Sequence, residues 1–157
     1  MTLILELQDE SDWPNTPSHQ QFVTWSNAAV SDQALLTEVT IRLVSISESA
    51  ALNKCYRNKV GPTNVLSFHY AQMPGIEDDY LGDIVLCAEL IADQAQQEKK
   101  PLVAHWAHLT VHGMLHLQGY DHLNPKQAQH MEQREITILT QLGFANPYHD
   151  GASINDA

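Results

Sequence analysis

Basic side chains are scarce in this chain: 8 Lys and Arg stand against 19 Asp and Glu, for a formal net charge of −11. That deficit argues against broad, non-specific nucleic-acid binding, which depends on neutralising many phosphates. Cysteine is nearly absent, and Cys55 and Cys87 are too few for a disulfide framework. They read as reduced thiols of a cytoplasmic protein. No apolar run approaches the roughly 18 residues that span a bilayer, so no membrane association is expected. The first ten residues lack a basic leader and meet acidic side chains at once, unlike a secretory signal. Neither Gly-x-Gly nor Gly-Lys occurs, which removes the dinucleotide fingerprint and the P-loop. No Gly-x-Ser-x-Gly elbow is available for serine hydrolysis.

What is present is one domain's worth of chain. At 157 residues with 43% hydrophobic content, residues 1–148 are expected to form a single domain, with 149–157 a frayed, polar tail. Strands are expected at Leu3–Gln8, Glu38–Ile46, Asn64–Tyr70 and Tyr80–Leu86. In the second, Val39, Ile41 and Leu43 alternate with Glu38, Thr40 and Arg42, predicting one buried and one wet face. Helices are expected at Ser18–Val30, Ala50–Tyr56 behind a Ser47 cap, and Ala88–Lys100. A further helix runs from Pro101 to Gln118 with Gly119 as its left-handed stop, and another starts at Asn124-Pro125 and ends at Gly143. The apolar face of the last is Met131, Ile138, Leu139 and Leu142. Strands first and helices later predict an α+β fold, a small mixed sheet of about four strands covered by about five helices.

The Pro101–Gln118 helix is apolar on most of its circumference and should be buried. Its polar positions are mostly His105, His108, His112 and His116. His112 and His116 lie one turn apart, about 6 Å along the axis and about 40° around it, so their imidazoles can converge. His122 follows just beyond the Gly119 stop. The spacing His-x3-His-x5-His supplies three nitrogens and leaves a fourth position open, the arrangement of a catalytic rather than a structural zinc site. One Zn2+ per chain is expected; iron, cobalt and nickel also suit these ligands. His105 and His108 read as surface or structural residues, the alternative being a place beside the ligands or against substrate.

A large class of zinc peptidases shares His-x3-His-x2-Gly-x2-His, but carries Glu after the first His as the general base. Here that position is Gly113, so the peptidase mechanism lacks its proton acceptor. The glycine implies close packing against a neighbour or, alternatively, room for a bulky substrate.

The string His112-Gly-Met-Leu-His-Leu-Gln-Gly-Tyr-Asp-His122 resembles the signature of the YbeY family of endoribonucleases, bacterial rRNA maturation factors. Leu52-Asn53 through Arg57 with Thr63-Asn-Val-Leu-Ser-Phe68, and Leu81-Gly-Asp-Ile84, resemble two further blocks, so the likeness covers about residues 38–148. His69 stands where the family commonly has proline. The resemblance implies metal ligands at His112, His116 and His122, a catalytic contribution from Arg57, and cleavage of single-stranded RNA. It also implies a role in 3′-end maturation of small-subunit (16S) rRNA and ribosome quality control, with the small subunit and assembly factors as partners. Other readings are a zinc peptidase with an atypical base and a non-catalytic assembly factor stapled by its metal.

For phosphodiester hydrolysis, Arg57 offers a permanently charged fork for a phosphate oxygen. Lys54 and Lys59 are candidate substrate-binding cations, with Arg42 a possible addition. Half of the eight basic residues, Arg42, Lys54, Arg57 and Lys59, fall within one 18-residue stretch, while Glu77, Asp78, Asp79 and Asp83 concentrate negative charge nearby. Asp121 is a candidate for orienting a ligand histidine, or a plain turn residue. Asp83 and Glu89 are weaker candidates for the base. Tyr70 and Tyr120 are candidate stacking platforms for unpaired bases, against a simpler role in packing.

Overall fold

The computed structural model describes residues 2–30, 36–69 and 79–148. Tyr70, Glu77, Asp78 and the 149–157 tail, all named above, lie outside the described residues.

In chain order the elements are β1 (Thr2–Asp9), α1 (His19–Ala29), β2 (Leu36–Val44), α2 (Ile46–Arg57), β3 (Val65–His69), β4 (Tyr80–Cys87), α3 (Ala88–Gln97), α4 (Leu102–Leu117) and α5 (Pro125–Gln141). The α+β fold with a four-stranded mixed sheet and five helices is as expected. The strand order, β1-β2-β4-β3, could not be read from the sequence. β1, β2 and β4 run parallel, and β3 closes one edge antiparallel to β4, with Ser67 opposite Ile84 and Phe68 opposite Asp83.

Side chains alternate across each strand, so neighbouring positions feed opposite faces. Val39, Ile41, Leu43, Val65, Ile84 and Leu86 join the main core with α1 and α4. Val44, Leu66 and Val85 form a smaller cluster on the other face, joined by Leu52 of α2 and Phe68. The expected wet face of β2 is a correction. As an interior strand it buries Thr40, and Arg42 is held by Glu10 and Glu48 at 2.9 and 2.6 Å. Both cysteines are free thiols, Cys55 exposed and Cys87 buried.

Local chemistry sets most helix ends. Ser18 and Gln21 make a reciprocal capping box at the start of α1. α2 is capped two residues before the expected Ser47, because the Ser45 hydroxyl accepts the Glu48 N–H. α3 stops at Gln97, short of Lys100, and Pro101 sits at the cap position of α4 rather than inside it. α4 packs against α1, α3, α5, β3 and β4, which makes it the central helix. Phe22 of α1 anchors it through an edge-to-face contact with Trp106, and Trp25 packs edge-to-face on Phe22 in turn. Fully burying side chains of this size contributes roughly 1.5–3 kcal/mol each.

Candidate metal centre

Because α4 is enclosed on nearly all sides, its histidines are drawn inside with it. His105, His108 and His112 are all buried, so the surface reading of His105 and His108 is corrected. The helix closes at Gly119, whose φ of +101° only glycine adopts readily. The Gly119 N–H bonds to the His116 carbonyl at 3.0 Å and the Tyr120 N–H to that of Leu115 at 3.1 Å. The chain then doubles back before Asn124 caps α5 by accepting the Gln127 N–H. This short reversal returns His122 to the end of α4.

The three imidazoles meet there. Ring centroids are 4.7 Å apart for His112–His116, 5.0 Å for His116–His122 and 5.9 Å for His112–His122. One nitrogen from each lies within 4.8 Å of the others, and burial falls from His112 (buried) through His116 to His122 (exposed). The donor set fits a divalent transition metal approached from solvent. Among the described residues, no other His, Cys, Asp or Glu group of this kind occurs.

Glu135 of α5 holds this arrangement from below. It is fully buried, and its carboxylate receives His112 Nδ1 at 3.0 Å, His108 Nε2 at 3.1 Å and the Tyr148 hydroxyl at 2.6 Å. Burial alone would raise its pKa, yet the hydrogen bonds and charges of His108 and His112 bring it down to about 2. An ionised carboxylate only accepts, so His112 carries its proton on Nδ1 and keeps the Nε2 lone pair for a metal. Burial likewise lowers the pKa of His108, leaving it a neutral donor. Burial beside Glu135 pushes the Tyr148 phenol upward, so it too stays protonated. His105 serves the fold: its Nε2 meets Gln94 Oε1 at 3.1 Å, and Asn64 donates to the same oxygen.

Neither Glu135 nor Tyr148 was singled out from the sequence. Glu135 interrupts the Met131–Ile138–Leu139 stripe at helical spacing, and a carboxylate on a buried face was the available signal. Asp121, the carboxylate considered for the orienting role, accepts the backbone N–H of His122 at 2.7 Å.

His116 and His122 line a cleft of about 490 Å³ that also carries Arg57, Lys59, Ser67, His69 and Asp121. Arg57, at the end of α2, donates to the Ser67 carbonyl of edge strand β3 at 2.9 Å, which places its guanidinium beside the cleft. Lys54 is exposed on α2 with Nζ 3.4 Å from Asn58 Oδ1 and is not among the described lining residues. Arg42 and Asp83 line a neighbouring cavity, and Glu89 sits in the first turn of α3. Tyr120 is half-buried against the core with its ring near His130. Gly113 packs on β4: a Cβ there would lie 2.9 Å from Ile84 Cγ2, which favours the packing explanation.

Comparison with known proteins agrees with this geometry. The family model described as "Endoribonuclease YbeY" matches residues 6–143. A curated protein of that name from Methylococcus capsulatus is 51% identical over 134 residues, covering 85% of this chain and 88% of the relative. The solution structure of a Thermotoga maritima protein superposes with a TM-score of 0.51 over 97% of this chain and 100% of the other. At 19% identity that likeness concerns the fold alone. With the family model spanning most of the sequence, the chain belongs to the endoribonuclease YbeY family.

Proposed function

We propose that this protein is a metal-dependent endoribonuclease that cuts single-stranded RNA, acting in 3′-end maturation of small-subunit rRNA and ribosome quality control. The observation that carries the proposal is the convergence of three imidazole nitrogens, within 4.8 Å of one another, beside a cleft holding Arg57 and Lys59. In this reading His112, His116 and His122 hold the ion, with zinc the best match to three neutral nitrogens and one open position. A bound zinc-type ion supplies Lewis acidity toward phosphoryl oxygens and acidifies water.

The protein's own groups do the rest. Arg57, braced on Ser67, presents its remaining N–H donors to a non-bridging phosphate oxygen as negative charge accumulates. Lys59 attracts the RNA backbone into the cleft, and Lys54 adds positive potential from the adjoining turn of α2. Asp121, at the cleft wall, accepts the His122 backbone N–H and so helps to orient the turn that presents this ligand. Glu135 keeps His112 in the ligating tautomer. Gly113 stands where a zinc peptidase carries its general base, which leaves peptide hydrolysis without a proton acceptor. The working location is the cytoplasm, with the small ribosomal subunit and its assembly factors as partners.

Elemental analysis paired with a single-stranded RNA cleavage assay tests the proposal. Wild type should carry about one metal per chain and cut RNA. His116→Ala should lose both metal and cutting, and Arg57→Ala should keep the metal and lose cutting by roughly two orders of magnitude, the range for one charge-stabilising donor. Undiminished cleavage by protein shown to lack metal would overturn it.

A further inference from the structure

A second cavity, of about 450 Å³, adjoins the metal cleft and shares Arg57, Ser67 and His69 with it, but contains none of the three clustered histidines. Its volume falls within the range of small-ligand pockets. The apolar part of the wall is Leu52, Phe68 and Val85, continuous with the small cluster on the α2 face of the sheet. Over it stands Tyr56, 62% exposed, its ring set edge-on to Phe68 at 5.2 Å and 74°. An aromatic ring left so open at the cavity wall has π-surface available for stacking.

The charges in the wall select what that is. Arg42 is engaged by both Glu10 and Glu48, so its charge is already answered within the fold. Asp83 adds a carboxylate, which accepts the Tyr80 hydroxyl. Away from the Arg57 border, the wall offers one compensated cation and one anion, which disfavours phosphate there. Aromatic and aliphatic surface favours a flat, uncharged ring. Arg57, the cation that lines both cavities, is braced on the Ser67 carbonyl at their shared border, where a phosphate would lie.

We infer that this cavity is a nucleobase subsite: the unpaired base of a nucleotide flanking the scissile phosphate stacks on Tyr56, while Arg57 holds the phosphate between the two cavities. The inference rests on the ribonuclease reading above and adds a reason for single-strand selectivity, since a base kept in a duplex stack cannot turn into the pocket.

The test uses the metal-loaded protein and a single-stranded RNA that it cuts, with an abasic nucleotide placed at each flanking position in turn. At one position, removing the base should raise KM by roughly 5- to 100-fold with kcat nearly unchanged, the range for one base–aromatic stack. Tyr56→Ala should raise KM by a similar factor on intact RNA and add little on the abasic RNA, whereas Tyr56→Phe should behave as wild type. A 2-aminopurine at that position, read in the binding phase before cleavage, should be quenched by wild type and by Tyr56→Phe but not by Tyr56→Ala. Metal content checks that each variant is folded. If wild type cuts RNA and Tyr56→Ala keeps its KM and its quenching, the subsite is wrong and the ribonuclease reading survives. If metal-loaded wild type cuts no RNA, the ribonuclease reading falls and this inference falls with it.

Discussion

Glu135 has no exposed surface and still stays ionised, because three donors converge on it. Buried charges survive only when paired and hydrogen-bonded, and the pairing here also orients His112. Glu135→Gln should therefore weaken metal binding by about 10- to 100-fold, measured by chelator competition. Tyr148→Phe removes one donor to the same ionised carboxylate and should cost about 1.5–3 kcal/mol in urea unfolding, leaving the metal bound. His105 sets a pH dependence of its own. Burial pushes its pKa down to about 3 from an ordinary 6.5. Between those values the unfolded chain binds a proton that the folded chain refuses, so stability falls as pH drops through this window and is fully present above its upper end. The slope from this one group is at most about 1.4 kcal/mol per pH unit. His105→Gln, which keeps a donor for Gln94, should lose less stability than wild type between about pH 6.5 and pH 4. Equal losses in chemical unfolding would show that His105 does not titrate as argued.

Between elements, the contact of α4 with β4 is the tightest constraint on the site. Helix propensity favours Ala over Gly by about 1 kcal/mol. Against that, a Cβ at Gly113 would crowd Ile84 Cγ2 at 2.9 Å and Cδ1 at 3.1 Å, and Ile84 is fully buried. Overpacking typically costs about 1–3 kcal/mol, so Gly113→Ala should be net destabilising by about 1 kcal/mol. Combined with Ile84→Ala, it should cost less than the sum of the two single changes, as a double-mutant cycle in urea would report. A stabilised Gly113→Ala would mean that β4 yields. The same closeness governs the β3 edge, where a Cβ at Gly82 would run into the Phe68 carbonyl oxygen. That approach fixes the end of β3, where Phe68 lines the second cavity and His69 lines both.

At the scale of the molecule, a protein of net charge −11 that handles RNA must confine its attraction to a small area. The metal cleft brings Arg57 and Lys59 together, and Arg42 is neutralised by its two glutamates. With about two phosphate contacts from side chains, the slope of log K against log salt for single-stranded RNA should be near −1.4, from roughly −0.7 per contact. A slope steeper than about −4, read by fluorescence anisotropy across a salt series, would mean that a far larger surface engages the RNA. Among the described residues no helix is long and apolar enough to cross a membrane.

The sequence by itself determined the elements and the three histidines. Strand alternation, Ser18, Asn124 and Gly119 are local signals, and the His112–His116–His122 spacing is set by one helix and one turn. The cap of α2 is Ser45, whose Ser-x-x-Glu spacing to Glu48 is likewise local. Only the tertiary structure decided the strand order, the role of Glu135, the distance of Lys54 from the cleft and the neutralisation of Arg42. Each of these depends on which residues from distant segments share a surface. A carboxylate 23 positions from His112 becomes its partner because α5 packs against α4, and no local rule of spacing records that contact.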